Sequence, residues 1–392
     1  MVKQNFHTAV VKSLIYTFLL TIGYILLIWD STPVFQIVSS TIYFILLYFV
    51  LFSIAKPEVS LWLRKIIDNN VFKVGAVPAT LLILYYSYLA INKLNPFEGI
   101  NMLLPFFILF PSFVFISKVL KTEKLDWLDF TVLAMFVIPI TLIEMPSDSN
   151  LPINGGGFDS FYRIMILITG AYTFVVIRKI SDVGFYPVFN LKKIWTALWV
   201  WAVFYSLIFV FAWSIDFIKF YGHDHYSFEL ISKIIRKLVS TFLHTALFEE
   251  LVFRGLLLNM LQKRIAQTGN WKKFVLIGGS SLIILSLITG YSMSGSLKWF
   301  PAFTSILLII AAYFIEKSKI DKTGTYVALA LSSIIFGLVH YHAGSIIYMG
   351  IASIAGWAYG YTYIKTKNVF YAAIVHTLVN SSALMFGFEL AK

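Results

Sequence analysis

The 392-residue chain contains no cysteine. Disulfides, thiolate nucleophiles and cysteine-ligated zinc are therefore excluded, and cysteine usage says nothing of the redox compartment. Charge is scarce as well. Only 13% of residues are charged and 59% are hydrophobic, against about 25% and about 45–50% in a soluble domain. A water-soluble core cannot enclose so large an apolar fraction, so the composition predicts an integral membrane protein. Acidic residues are the rarer sign, 19 Asp and Glu against 31 Lys and Arg, for a formal charge of +12. No basic cluster is interleaved with a stacking platform, which argues against a nucleic-acid partner; the excess fits basic cytoplasmic loops and contact with membrane lipids. Nor does a small-residue cleavage motif follow the first apolar run, Ser13 to Trp29, behind Lys3 and Lys12. That run is expected to be a retained membrane helix rather than a removed signal. Internal repeats, low-complexity tracts and a soluble domain are lacking too.

What the chain has in abundance is apolar sequence in membrane-length pieces. Runs fall at 13–29, 36–54, 74–91, 100–119, 127–145, 163–178, 194–215, 234–261, 274–290, 300–316, 325–341, 345–364 and 369–387. A helical span needs about 17–25 residues, so the pattern predicts an all-α polytopic transmembrane bundle of about 11–13 membrane helices. Every second loop is basic: Lys56, Arg64, Lys65 and Lys73; then Lys118, Lys121 and Lys124; then Arg178, Lys179, Lys192 and Lys193; then Lys263, Arg264, Lys272 and Lys273; then Lys317, Lys319 and Lys322; then Lys365 and Lys367. The intervening loops hold Asp30, Glu98, Asp148, Asp159, Asp224 and Glu229. This alternation predicts a cytoplasmic N-terminus, with the Gly/Pro/Asn-rich loop 146–159 outside. The basic stretch 179–193 divides an N-terminal six-helix region of unknown role, 1–179, from a C-terminal region, 190–387, which holds all the unusual chemistry.

That chemistry is a set of polar residues inside apolar runs, where ionisable groups are costly and are read as functional by default. In LFEELVFRG, Glu249 and Glu250 are neighbours about 100° apart on a helix and cannot share a face. Glu250 and Arg254, four apart, are placed to pair, which leaves Glu249 as the candidate general base; a purely structural ion pair is the bland reading. Phe336 and His340 share a helical face at the end of another run, with His342 at or beyond that end. His376 and Asn380 share a face in the last run and offer donors of the kind that stabilise an oxyanion, or else a polar clamp between helices. Gly350, Gly356 and Gly360 mark a helix suited to close approach, Gly356 to Gly360 being a small-xxx-small spacing. His223-Asp224-His225 hints at a metal site but lacks a third ligand nearby and reads as a solvated loop.

Taken together, Glu249-Glu250-x-x-x-Arg254, Phe336-x-x-x-His340 and His376-x-x-x-Asn380, in that order and on separate helices, resemble the CPBP family. This family comprises the CAAX-protease and bacteriocin-processing (Abi) proteins, and its best-known members are the type II CAAX prenyl endopeptidases. The resemblance covers about 190–387. It implies a glutamate-dependent, metal-independent endopeptidase without cofactor, acting on a protein or peptide substrate in or beside the membrane, and the expected location is the bacterial cytoplasmic membrane. Glu249 would activate the attacking water with help from His340. His376 and Asn380 would form the oxyanion hole, and Glu250 and Arg254 would support the site. One departure stands out. In the family pattern the Phe-x-x-x-His helix follows the first motif closely, whereas here residues 270–322 intervene as an insertion with two extra apolar segments, expected to reshape substrate entry.

Three other functions remain open at this level. Glu249, His340 and His376 have the ligand types of a His₂Glu zinc protease with an open water position. A non-catalytic membrane scaffold or immunity protein would share the fold without the reaction. A transporter lacks support from any repeat. The substrate itself is not legible.

Overall fold

A computed structural model describes every residue except 1, 30–31, 122–123, 142–149, 154–158 and 391–392. Asp30, Asp148 and most of the 146–159 loop thus lie outside the described residues. The chain is mostly helical. Among the described residues, eight helices are long and apolar enough to cross a membrane: Asn5–Ile28, Val34–Ile54, Val71–Ile91, Leu191–Ser214, Trp271–Ser292, Phe300–Ser318, Thr325–Ala343 and Val369–Phe386. Three shorter apolar helices, Leu104–Val119, Trp127–Val137 and Phe161–Ile177, accompany them. In hydrocarbon every backbone polar group must be satisfied within the segment, which helices alone achieve in a chain without a closed barrel. By length and composition the protein is an integral membrane protein.

The chain forms two compact units. The first is Met1–Val188 with Leu243–Leu251, and the second is Phe189–Phe242 with Val252–Lys392. At the centre of the first lies the Phe161–Ala171 helix, continued by a π-helical turn at Tyr172–Ile177. Its sequence, FYRIMILITGA, is apolar on all sides but one, and every residue is buried except half-buried Arg163; a helix apolar all round belongs in the interior. Around Phe161 gather Tyr43, Tyr85 and Tyr88, with ring centroids at 5.8, 5.3 and 5.3 Å. Two of the buried phenols find acceptors, Tyr24 on Ser40 at 2.8 Å and Tyr172 on the Val74 carbonyl at 2.8 Å, as most buried hydroxyls do.

The basic loops of this unit are more structural than their sequence suggests. Asp129, fully buried, accepts from Arg178 Nε at 2.6 Å and Lys118 Nζ at 3.2 Å. Lys118 also pairs with Asp126. Burial alone would raise the Asp126 carboxyl, but the Lys118 hydrogen bond and the charges of Lys118 and Arg178 outweigh it and hold it below its ordinary value. Arg64 donates to the Val175 carbonyl at 2.5 Å and Lys56 to the Ala9 carbonyl at 2.9 Å. The stretch between Lys56 and Lys73, read as a connection, contains a helix at Pro57–Ile67. Pro57 at its first position, Glu58 in its first turn and Arg64 and Lys65 in its last complement its ends, the arrangement that the helix dipole favours.

In the second unit the Thr325–Val339, Ile346–Thr366 and Val369–Phe386 helices run as an antiparallel series, with Phe300–Ser318 and Leu191–Ser214 packed against the middle one. The glycines of Ile346–Thr366 face neighbours. A Cβ on Gly350 would collide with the Phe300 ring, and one on Gly360 with Leu329. On the facing helix, a Cβ on Gly337 would overlap the Ser353 hydroxyl and stand 2.6 Å from the Met349 carbonyl. Since backbone cannot yield as a side-chain tip can, Gly337→Ala is expected to push the two helices apart at a cost of about 1–3 kcal/mol. The check is the unfolding midpoint of purified protein in detergent; an unchanged midpoint would show that the helices reseat freely. The run 234–261 is not one uniform span. An amphipathic helix, Phe228–Ser240, buries none of its residues, and π-helical turns at Thr241–Ala246 and Leu251–Leu258 enclose a single α-helical turn, Leu247–Glu250. A short antiparallel pairing of Ile218–Phe220 with Phe388–Leu390 adds strand to the helical unit.

Candidate active site

The Thr325–Val339 helix carries the second motif, and its start is fixed by a carboxylate. Glu316, fully buried, accepts from the backbone N–H of Gly324 at 2.6 Å and of Tyr326 at 3.0 Å. These are donors that a helix start leaves without intrahelical partners. Gly324 enters the helix at φ +73°, a left-handed conformation suited to glycine. The helix ends where the motif does. His340 opens a 3₁₀ turn, His340–Ala343, and its Nδ1 sits 2.7 Å from the Phe336 carbonyl. A carbonyl can only accept, so Nδ1 carries a proton. His342, two residues on, is exposed.

Phe336 is the hub. Its ring lies edge-on to His340 at 4.7 Å and to His376 at 5.8 Å. Although His340 closes its helix and His376 lies well inside Val369–Phe386, both reach this one ring. The Arg254 guanidinium sits 4.2 Å from the Phe336 centroid and 5.2 Å from that of Tyr359, within cation–π range. Its Nη2 donates to the Gly356 carbonyl at 3.1 Å. The fit there is tight, because a Cβ on Gly356 would stand 3.2 Å from that nitrogen, from Phe336 and from the Ser333 backbone.

His376 is buried and Asn380 is exposed. The Asn380 Nδ2 stands 3.1 Å from His376 Nε2. An amide nitrogen can only donate, so Nε2 accepts and the second amide N–H points elsewhere. The two side chains are thus bonded to each other, not merely side by side as the spacing of four suggested. Tyr359 lies parallel to His376, centroids 4.6 Å apart and planes within 12°. Sequence reasoning passed over Tyr359, since one tyrosine among 22 gives no signal.

Glu249 and Glu250 belong to the first unit, whereas Arg254, His340, His376 and Asn380 belong to the second. Glu250 is fully buried and Glu249 half-buried, on the single α-helical turn between two π-helical ones. Such π-turns occur often at functional sites. The His223 ring is bonded to the Leu384 carbonyl at 2.9 Å, so this residue ties its loop to the last helix. Among the described residues, no three His, Asp or Glu side chains stand together as a metal site would require.

Residues 231–320 and 310–382 match the family described as type II CAAX prenyl endopeptidase Rce1-like. The chain therefore carries a CAAX-endopeptidase (CPBP/Abi) domain over residues 231–382. No curated protein and no solved structure matches the chain.

Proposed function

From a chain with an Rce1-like domain at 231–382, we propose an intramembrane endopeptidase that hydrolyses a peptide bond of a membrane-associated protein or peptide. Glu249 takes a proton from water, assisted by His340. The hydroxide adds to the scissile carbonyl. The oxyanion is held by His376 and Asn380, which form the oxyanion hole, Asn380 offering its second amide N–H. The proton taken by Glu249 passes to the leaving amine as the C–N bond breaks. Glu250 and Arg254 support the site, and residues 270–322 are an insertion in the family pattern, with 1–179 a separate six-helix region and the N-terminus cytoplasmic. The observation that carries this reading is the gathering of His340, His376 and Arg254 around Phe336, with Asn380 bonded to His376, inside the matched domain.

The test uses full-length protein in lipid vesicles with a quenched-fluorescent prenylated CaaX peptide, alongside mapping of new termini in membranes of expressing cells. Wild-type protein should cleave one of these and keep doing so after chelation. Loss on chelation with recovery on zinc would favour the His₂Glu zinc reading. A phenotype untouched by Glu249→Gln and His340→Ala would favour the scaffold or immunity protein. Tyr359 supplies a finer test. Removing its ring by Tyr359→Ala frees the His376 plane, and a misplacement of about 1 Å costs about 100-fold. Tyr359→Phe keeps the stack and should retain most of the activity. Equal activity of both variants would deny the ring any role.

A further inference from the structure

The matched domain begins at 231, and nothing in the match gives the preceding residues a task. The site motifs themselves lie from Glu249 onward. Yet the segment 243–251, which carries both glutamates, groups with residues 1–188. Leu243, Ala246 and Leu247 are buried there to 1% exposure or less. One polar residue reaches this segment from the first region. Arg163, on the otherwise wholly buried Phe161–Ala171 helix, donates through Nη1 to the His244 carbonyl at 2.5 Å. Its guanidinium carbon lies 5.5 Å from the centroid of the Phe248 ring. A carbonyl has two lone pairs, so His244 can accept from Arg163 and from the helix at once.

His244 and Phe248 are four apart, one turn of helix, and Glu249 follows Phe248 directly. A cation bonded to the carbonyl of the first and lying within cation–π range of the second constrains both the rotation and the rise of that turn. Two π-helical turns flank it, and these depart from the ordinary hydrogen-bond ladder that would otherwise set the rotation. Arginine suits the task better than lysine because its wide guanidinium can donate at one nitrogen while its plane lies near a ring.

We infer that Arg163 is a positioning residue for Glu249, which makes the N-terminal region part of the proteolytic machinery. This rests on the catalytic reading of Glu249 above. Because a misplacement of about 1 Å can cost about 100-fold in rate, Arg163→Met in the full-length protein is expected to lower kcat by about 10- to 100-fold while KM changes little. Arg163→Lys, which keeps the charge and one donor, should recover part of that loss. A readout independent of activity accompanies it: amide hydrogen exchange across 243–251 should quicken at least about 10-fold in Arg163→Met, because local opening is governed by local contacts. Unchanged exchange, or unchanged kcat beside an inert Glu249→Gln, overturns the assignment. So does a fall in kcat that only tracks a lowered unfolding midpoint and is not recovered by lysine. If Glu249→Gln cleaves normally while exchange at 243–251 still quickens, the anchor stands as a structural one, and it is the catalytic reading that has failed.

Discussion

Glu249→Gln is expected to reduce cleavage by about 10²- to 10⁴-fold, the usual contribution of a general base, while the protein accumulates in membranes at its normal level. Glutamine has nearly the shape of glutamate but cannot take a proton at neutral pH. Glu249 is half-buried, so the amide replaces the carboxylate without exposing a new cavity. The variant therefore removes the chemistry and spares the packing. Two controls sharpen it. Glu250→Gln, one residue on and fully buried, should show its effect in stability before activity, because it alters a buried charge. His340→Ala should lose activity without the same stability penalty, since His340 is half-buried at a helix end. Normal cleavage by Glu249→Gln would end the glutamate mechanism outright.

Asp129→Ala is expected to destabilise the N-terminal unit by about 3–5 kcal/mol, the cost of breaking a buried ion pair from one side. Asp129 is fully buried and faces Arg178 and Lys118, themselves 6% and 5% exposed. Removing the carboxylate leaves two cations short of their buried counterion. The measurement is the unfolding midpoint in detergent, where a loss this large should also reduce the folded yield. A triple replacement, Lys118→Met with Asp129→Leu and Arg178→Met, should recover much of the stability, because well-packed apolar groups often equal a buried ionic cluster. If Asp129→Ala and the triple replacement unfold at the same point, the cluster contributes packing alone.

The membrane class of this protein was legible because composition is a sum. With 59% hydrophobic residues, no arrangement of the chain conceals the apolar surface from water. The motif residues were legible for a related reason. A charge or an imidazole within an apolar run must have a cause, and the rule that singled out Glu249, Arg254, His340 and His376 needs no knowledge of neighbours. The same rule applied to Arg163 and to Asp129, both lone charges in apolar helices. They passed unnoticed because no second motif stood beside them.

What the sequence by itself determined is the solvent and the helical class, and it named a short roll of candidates for the chemistry, since each follows from a residue's own polarity and its spacing along one helix. Tertiary structure alone decided that Phe336 serves both histidines, that Tyr359 stacks on His376, that Glu316 caps the Phe336 helix and that Arg163 holds the turn before Glu249. Those contacts join residues from four to more than eighty positions apart. Aromatic and aliphatic residues fill such runs interchangeably, so local pattern cannot say which ring meets which; only the packing of the helices does.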